Sequence, residues 1–545
     1  MVARATHWSR AQRSGDPLPR PSVPALATAL VAVMATFLAA PSLALASFTG
    51  KPVVAPGGEL KAATLVAPTG LLVGDGGCEF SNANTWVSLE WGASALLDAN
   101  GKPLVNRYPV SYSTSSSGTY TAAGETSGAT SFRHGEPVGA ETPQIYVGNS
   151  GAKTVHAVNS STNAGTSITT NGTMGNEPNG MAVNPEGTKV IVAQGASNEV
   201  QVITVATHAI GAKVEVPKVG VQKSKPDAVA IAPNGLTAYI VDGTNDLVYP
   251  LTISSGALGT GIPVGIQGDP GAIAVSPNGE DVYVANYGSH SVSVISTSTG
   301  KVTATVTIGA GTTGKPIALV VSPNSAHVYV ADQGHSQVAD IATATNTVSQ
   351  TIEVGSLADP NVAAGGDPNI LALSPDGSRL FVASYTGHGV EDIATATDTV
   401  TKTIALQEPA TAAPNALAIT PNGCQLYVND YEHNLVDVIT VSSDAVSAHP
   451  TIGETIDPTG MSVTPDSSHV YVADFGGTPQ VSVIATSTNT VSATLAEAAI
   501  GKAPSAVLAT PSPYYYKLQA GHGGWRSPFT APVMYPLGWT QGDWQ

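Results

Sequence analysis

The sequence predicts an all-β fold, a β-propeller of four-stranded antiparallel blades, and three observations predict it. The first is a period. A Pro is followed seven residues later by a second Pro in a Ser/Thr/Ala-Pro-Asn/Asp-Gly type of turn, and this second Pro recurs at Pro185, Pro233, Pro277, Pro323, Pro375, Pro421, Pro465 and Pro511, at intervals of 48, 44, 46, 52, 46, 44 and 46 residues. The second is the content of one period. Residues 268 to 309, GDPGAIAVSPNGEDVYVANYGSHSVSVISTSTGKVTATVTIG, hold four short runs rich in Val and Ile: Ala272 to Val275, Val282 to Ala285, Ser291 to Ile295 and Val302 to Thr307. Turn residues divide them. Pro277-Asn278-Gly279 suits a tight hairpin because Asn and Gly tolerate positive φ, and Gly288-Ser289 and Thr299-Gly300 make the next two corners. The third is a count: the second-strand signature appears eight times, from IYVGN ending at Asn149 through IVAQ, YIVD, YVAN, YVAD, FVAS and YVND to YVAD ending at Asp474. A four-stranded meander cannot bury both faces alone. With a period in the mid-forties its copies stack around an axis.

YVANYGSHSVSVISTSTGKV, YVADQGHSQVADIATATNTV and YVADFGGTPQVSVIATSTNTV carry a likeness beyond spacing. Over roughly residues 142 to 512 the chain resembles the bacterial and archaeal YVTN propeller repeats of secreted and surface-layer proteins. The resemblance implies a propeller and an extracellular setting, and implies no single reaction.

Closure sets the blade number. The first copy lacks an inner strand before Ile145, whereas the last offers one, Ala503 to Thr510, and then breaks its pattern. Pairing the two completes a ring and removes the exposed edges, giving eight blades. Seven is the alternative, because related propellers are most often seven-bladed and Tyr514-Tyr515-Tyr516 is a rival second strand.

The remaining residues flank the repeats. Residues 1–46 read as a secretory signal, with Arg4, Arg10, Arg13 and Arg20 ahead of an apolar run from Ala25 to Ala40 and a small-x-small site, Ala44-Leu45-Ala46, before Ser47. Later stretches are too short to span a bilayer, so an exported product is expected, free of integral spans once the signal is cleaved. Residues 47–65 are a Gly/Pro/Ala linker. Residues 66–135 read as alternating strands of a small β-sandwich, and resemble the opening strands of a fibronectin type III module in their Pro-rich start, Trp91, and the alternation of Tyr108, Val110 and Tyr112. The closing strands of such a module are missing after Phe132. Residues 513–545 form an aromatic-rich tail, in which Trp525, Trp539 and Trp544 are candidates for stacking on a ligand; the expected alternative is that the tail lies across the propeller or the N-terminal module. Cys78 and Cys424, the two cysteines, are expected as unpaired thiols.

Composition narrows the partners. The chain of 545 residues has a charged fraction of 11% and a formal net charge of −17. Without residues 1–46, 18 basic face 38 acidic residues, a net charge of −20, so nucleic acid is excluded as the expected partner. A protein or a cell-envelope glycan is the expected class.

Chemistry has one repeated candidate. His290, His335, His388 and His433 fall in the turn between second and third strands of four consecutive copies, on the face that also carries the lead-in loops with Asp227, Asp269, Asp367 and Asp457. Imidazoles and carboxylates on one rim are transition-metal ligands by type. Against this, Asn198 and Asn245 occupy the turn in other copies, and the His positions differ in register by one residue; the turns then read as polar corners and no cofactor is expected. Arg379 is the propeller's only arginine, no Trp falls between Trp91 and Trp525, and no Gly-x-Ser-x-Gly, Walker or Cys-x-x-Cys-His motif occurs. The expectation is an exported, non-enzymatic propeller that binds a ligand at or outside the cell envelope. Alternatives are a propeller-face enzyme, of lactonase or lyase type or a metal-dependent oxidoreductase, and a structural surface-layer component.

Overall fold

The computed structural model of the chain describes most of residues 143–511 and nine short strands outside that span, 72–75, 86–90, 107–113, 121–127, 131–135, 514–518, 521–522, 525–526 and 533–535; within the propeller, 151–153, 169–177, 266, 310–312, 356–367, 408–410, 454–457 and 477–478 lie outside the description. The signal, the linker, Trp539 and Trp544 are also outside the described residues.

Eight antiparallel sheets form an eight-bladed propeller, each with the order inner, second, third and outer strand. Blade four, Pro270–Val275, Asp281–Asn286, Ser291–Ser296 and Lys301–Thr307, reproduces the four runs read from the sequence to within two residues. Blade one is closed by exchange. Its second, third and outer strands are Gln144–Asn149, Thr154–Asn159 and Gly165–Ile168, and its inner strand is Pro504–Ala509 from the far end of the repeats, with Val507 opposite Val147 and Ala509 opposite Ile145. Tyr514–Leu518, the rival second strand that would have reduced the count to seven, belongs elsewhere.

The core is a belt of layers between blades. One cluster joins Tyr146 and Leu508 of blade one to Met181 and Val192 of blade two, another joins Tyr471 of blade eight back to Val147 and Val507 of blade one, and similar clusters fill the intervals between. The largest fully buried side chains include Tyr146, Tyr283, Tyr329, Phe381, Tyr427 and Tyr471, all at one position of the second strand. Inner strands approach so closely that they demand small residues. A Cβ on Gly180 would stand 2.4 Å from the carbonyl oxygen of Asp227 in the next blade.

The two faces of the ring are built differently. On one, the hairpins joining inner to second strands touch their neighbours: a Cβ on Gly377, whose φ is +70°, would be 2.7 Å from Cδ of Pro323 in the preceding blade. Amides of Asn278 and Asn422 donate to the hydroxyls of Ser325 and Ser467 one blade on, at 3.0 and 3.1 Å. This hairpin face is a locked ring of turns. Because Pro504–Ala509 leaves the ring where Gln144–Asn149 enters it, both crossings to the rest of the chain lie here. The other face carries the lead-in loops and the turns between second and third strands.

Outside the ring, the two ends of the chain share a sheet. Arg107–Ser113 pairs with Thr121–Ser127 on one side and with Tyr514–Leu518 on the other, and the tail continues through Val533–Tyr535. Leu72–Asp75, Trp86–Glu90 and Ser131–Gly135 make a separate three-stranded sheet. The tail thus shares a sheet with Arg107–Ser113, and the candidate Trp525 sits in the strand Trp525–Arg526 of that six-stranded sheet.

Cys424 is disulfide-bonded and no cysteine among the described residues is free, which corrects the expectation of an unpaired thiol at Cys424. The chain's other cysteine is Cys78, outside the described residues. No helix among the described residues is long and apolar enough to cross a membrane.

Candidate functional site

The last residue of each second strand organises the lead-in face. These residues are Asn149, Gln194, Asp242, Asn286, Asp332, Ser384, Asp430 and Asp474, all polar and all buried. At three of the four Asp residues one carboxylate oxygen ties down the lead-in loop, whereas Asp474 Oδ2 accepts from the hydroxyl of Ser482 at 3.0 Å. Oδ1 of Asp242, Asp332 and Asp430 accepts the N–H of Lys225, Lys315 and Ala413, each one before the lead-in Pro, at 2.9, 2.7 and 3.0 Å. The other oxygen fixes the turn: Oδ2 accepts from Asn245 Nδ2, His335 Nδ1 and His433 Nδ1 at 2.8, 2.7 and 2.8 Å.

That chemistry explains the one-residue difference between the histidines. The fourth residue after the strand end has positive φ in each of the six blades where it is described, at Asn198, Asp246, His290, Ser336, His388 and Asn434. After Asp, the imidazole stands one residue earlier, where it faces the carboxylate. After Asn286 and Ser384, which offer no carboxylate, it takes the left-handed position itself, with φ of 56° and 57°, and reaches forward. His290 Nδ1 donates to the carbonyl of Gly314 and His388 Nδ1 to that of Ala412, both in the next lead-in loop. His335 Nε2 and His433 Nε2 accept from the hydroxyls of Thr313 and Thr411, at 2.9 and 3.2 Å, in those same two loops. The four histidines therefore act in pairs. His290 and His335 hold the loop entering blade five; His388 and His433 hold the loop entering blade seven. Gly309 must be glycine, because its φ is +72° and a Cβ would stand 2.4 Å from Cε1 of His335.

The metal candidates are thus dispersed over two clamps, and no three His, Cys, Asp or Glu side chains among the described residues are grouped to hold an ion. Of the lead-in carboxylates, Asp227 pairs with Lys225 at 3.2 Å, Asp269 adopts φ of 43°, and Asp367 and Asp457 lie outside the described residues. Arg379 is taken up structurally: Nε and Nη2 meet Asp392 at 3.0 and 2.6 Å, Nη2 also meets Asp444 of blade seven, and the guanidinium lies 4.9 Å from the centre of the Phe381 ring.

Between the lead-in loops the axis opens into a small cavity of ≈ 60 Å³. Its described lining is small and apolar, from Ala228 to Met461, except for three polar side chains, Asn369, Asn415 and Thr459. No His, Glu or Arg is among these lining residues. Asn369 Nδ2 donates to the carbonyl of Pro414 at 3.2 Å and Thr459 Oγ1 to that of Pro504 at 3.3 Å, so the polar groups stitch successive inner strands together. The first residue after each second strand is Tyr287, Tyr385, Tyr431 or Phe475 in blades four, six, seven and eight. Sequence reasoning missed this set, although its signal, an aromatic directly after the second-strand signature, is present.

No protein-family model matches the chain, and no curated protein matches it. Solved structures do. A dihydro-heme d1 dehydrogenase, NirN, solved in complex with DHE, is 12% identical over 67% of this chain and 74% of its own, with a TM-score of 0.54. Virginiamycin B lyase from Staphylococcus aureus is 16% identical over 55% and 91%, with a TM-score of 0.44, and Kuenenia stuttgartiensis hydrazine synthase is 19% identical over 57% and 95%, also at 0.44. At such identities the likeness is one of propeller fold.

Proposed function

We propose that the protein is an exported propeller of the YVTN-repeat type that binds a ligand through its lead-in face, at the cell surface or in the extracellular space. The asymmetry of the two faces carries this reading. The hairpin face is locked by blade-to-blade contacts and takes both chain crossings, whereas the lead-in face surrounds an open axis with loops that vary from blade to blade. Loops placed by a rigid scaffold are the usual carriers of recognition. Export is supported by the leader in residues 1–46 and by the disulfide at Cys424, since disulfides persist chiefly in oxidising compartments. The strands of residues 66–135 and of the tail are read as one β-sandwich module on the opposite side of the ring, fibronectin type III-like in its first half.

The test is retention of labelled mature protein on cell-envelope fractions of the host. A double variant of the lead-in face, Tyr385→Asp with Tyr431→Asp, should lose retention. Leu236→Asp, at an exposed hairpin residue on the other face, should keep it. The reverse pattern, or no retention of the unaltered protein, would overturn the reading.

A further inference from the structure

We propose that the protein binds a second copy of itself: the basic finger formed by residues 217–225 of one copy enters the acidic cleft between the outer strands of blades five and six of the next. This goes beyond ligand binding by the lead-in face, and its test needs no envelope ligand.

The finger joins blade two to blade three. Val219 and Gln222 each donate an N–H to the other's carbonyl, at 3.2 and 3.1 Å, and Gly220 turns the tip with φ of +62°. Its base is fixed. Ser224 Oγ donates to the carbonyl of Pro217 and accepts from Asn245 Nδ2 at 3.2 Å, which ties the hairpin to blade three. Four of the eleven Lys and Arg residues of 143–511 fall within 213–225, in a chain of net charge −17. Lys213 and Lys225 are paired with Glu199 and Asp227 at 3.0 and 3.2 Å, whereas Lys218 and Lys223, both exposed, have no ion pair among the described residues. At the tip Val221 is 100% exposed and Val219 47%. Apolar side chains thrust this far into water, between two free charges, mark an interaction surface.

The cleft has the opposite character. Its volume is ≈ 330 Å³, and its described lining holds Glu353, Glu391 and Asp398 beside the apolar Ile352 and Val400, with no Lys, Arg or His. Glu391 points to a cation. It is 2% exposed, its Oε1 accepts the N–H of Gly355 at 2.8 Å, and its Oε2, also buried, has no partner among the described residues. The fold does not require a carboxylate at this place, since the third residue of the third strand is Ala339 in blade five and Ser482 in blade eight. A buried oxygen left empty is costly, and a lysine ammonium, with three donors, recovers that cost. Among the described residues no three acidic or imidazole side chains are grouped to hold a metal ion, so the fitting charge is an organic cation.

Charge and polarity point to the chain itself as its source. The finger offers free lysines beside exposed valines; the cleft offers carboxylates beside Ile352 and Val400, the latter 36% exposed. Finger and cleft lie three blade steps apart around the ring, so a copy does not fill its own cleft. The contact is then heterologous, and the finger and cleft left free at its two ends extend it into a ring or a filament. Nine residues bury less than the ~800 Å² per partner of a stable complex, so the contact is weak and acts where copies are crowded.

The experiment is sedimentation equilibrium of the mature protein over a concentration series up to about 1 mM, at low and high salt. The unaltered protein should associate beyond a dimer, and salt should reverse it. Lys218→Glu with Lys223→Glu, and separately Glu353→Lys with Glu391→Gln, should each weaken self-association by about tenfold or more. Mixing the two variants should restore it, because each then meets an opposite charge in the other at both contacts. Lys218, Lys223 and Glu353 are exposed, and glutamine at 391 keeps the acceptor for Gly355, so both variants leave the fold intact, as circular dichroism checks. An unaltered protein that stays monomeric to about 1 mM overturns the proposal, as does association that survives either variant or a mixture that stays apart. Binding of an unrelated lysine-rich peptide through Glu353 and Glu391, without self-association, overturns the second copy as the occupant.

Discussion

The hydroxyl of Tyr427 in blade seven reaches Oδ1 of Asn489 in blade eight, 2.7 Å away. The same bond recurs around the ring, from Tyr146 to His208 at 3.2 Å, from Tyr329 to Asp398 at 3.4 Å and from Tyr471 to Asn163 at 3.4 Å. Each acceptor is the left-handed residue of the turn between third and outer strands, with φ between 50° and 55°. Burial pushes the Tyr146, Tyr329, Tyr427 and Tyr471 hydroxyls up, so they stay protonated donors, and burial pushes His208 down, which keeps it a neutral acceptor. In blade six the Tyr is Phe381, and Arg379 makes the connection to Asp444 instead. Tyr427→Phe should therefore cost about 1 kcal/mol in urea unfolding. Asn489→Ala should cost about 1 kcal/mol more, because alanine lacks both the acceptor and the tolerance for positive φ. A double variant no worse than Asn489→Ala alone would show the bond as the shared term; full additivity would show it contributes nothing.

Glu391 predicts a pH dependence. It is 2% exposed, Oε1 accepts the N–H of Gly355 from blade five at 2.8 Å, and burial pushes its carboxyl up to about 7 from an ordinary 4.5. The folded state thus holds a proton that the unfolded state releases, so stability is highest below about pH 4.5 in this group's contribution and falls as pH rises to about 7. The full loss is on the order of 3 kcal/mol. Glu391→Gln keeps the acceptor for Gly355 and removes the charge. Unfolding at pH 5 and pH 8 should show the variant gaining on the unaltered protein at the higher pH. Asp474, also pushed up to about 7 by burial, retains its part of the slope; equal gains at both pH values would contradict the assignment.

The histidine clamps give a third prediction. Changing His290, His335, His388 and His433 together to Asn should leave metal content unchanged by elemental analysis and lower stability by no more than about 1 to 2 kcal/mol. Asn245 already reaches Asp242 at 2.8 Å from the corresponding turn, and Asn tolerates the left-handed position. Near-stoichiometric zinc or copper in the unaltered protein, absent from the variant, would contradict the clamp reading.

Closure gives the fourth. Removal of everything from Pro504 onward strips blade one of its inner strand and should produce association through the open edge, read by light scattering, with a lower melting temperature. Ending the chain after Thr510 keeps that strand and removes the tail's pairing with Arg107–Ser113 alone. The shorter chain should associate and the longer one keep the ring's melting transition; identical behaviour of the two would contradict the exchange.

Period, strand count and closing strand were legible in the sequence because each is a local pattern repeated eight times. The inner strand at Pro504 was found as the one missing from the first copy. What joins blades was not legible, since Tyr427 and Asn489 are each ordinary in their own repeat and become partners only when the ring curves one against the other. The histidines were visible, and so was their one-residue difference, but its cause was hidden. It depends on whether the strand end is Asp332 or Asn286, a relation across a turn and a loop. The tail's strands were unreadable for the opposite reason: their pairing partners are about 400 residues earlier and share no repeat with them.

The final strands of the chain complete two sheets at once, one through Pro504–Ala509 and the other through Tyr514–Leu518. A chain emerging from its N-terminus must therefore keep the edges of Gln144–Asn149 and Arg107–Ser113 unmated until Pro504–Ala509 and Tyr514–Leu518 have arrived. Until then two raw strand edges stay open to any other pairing partner.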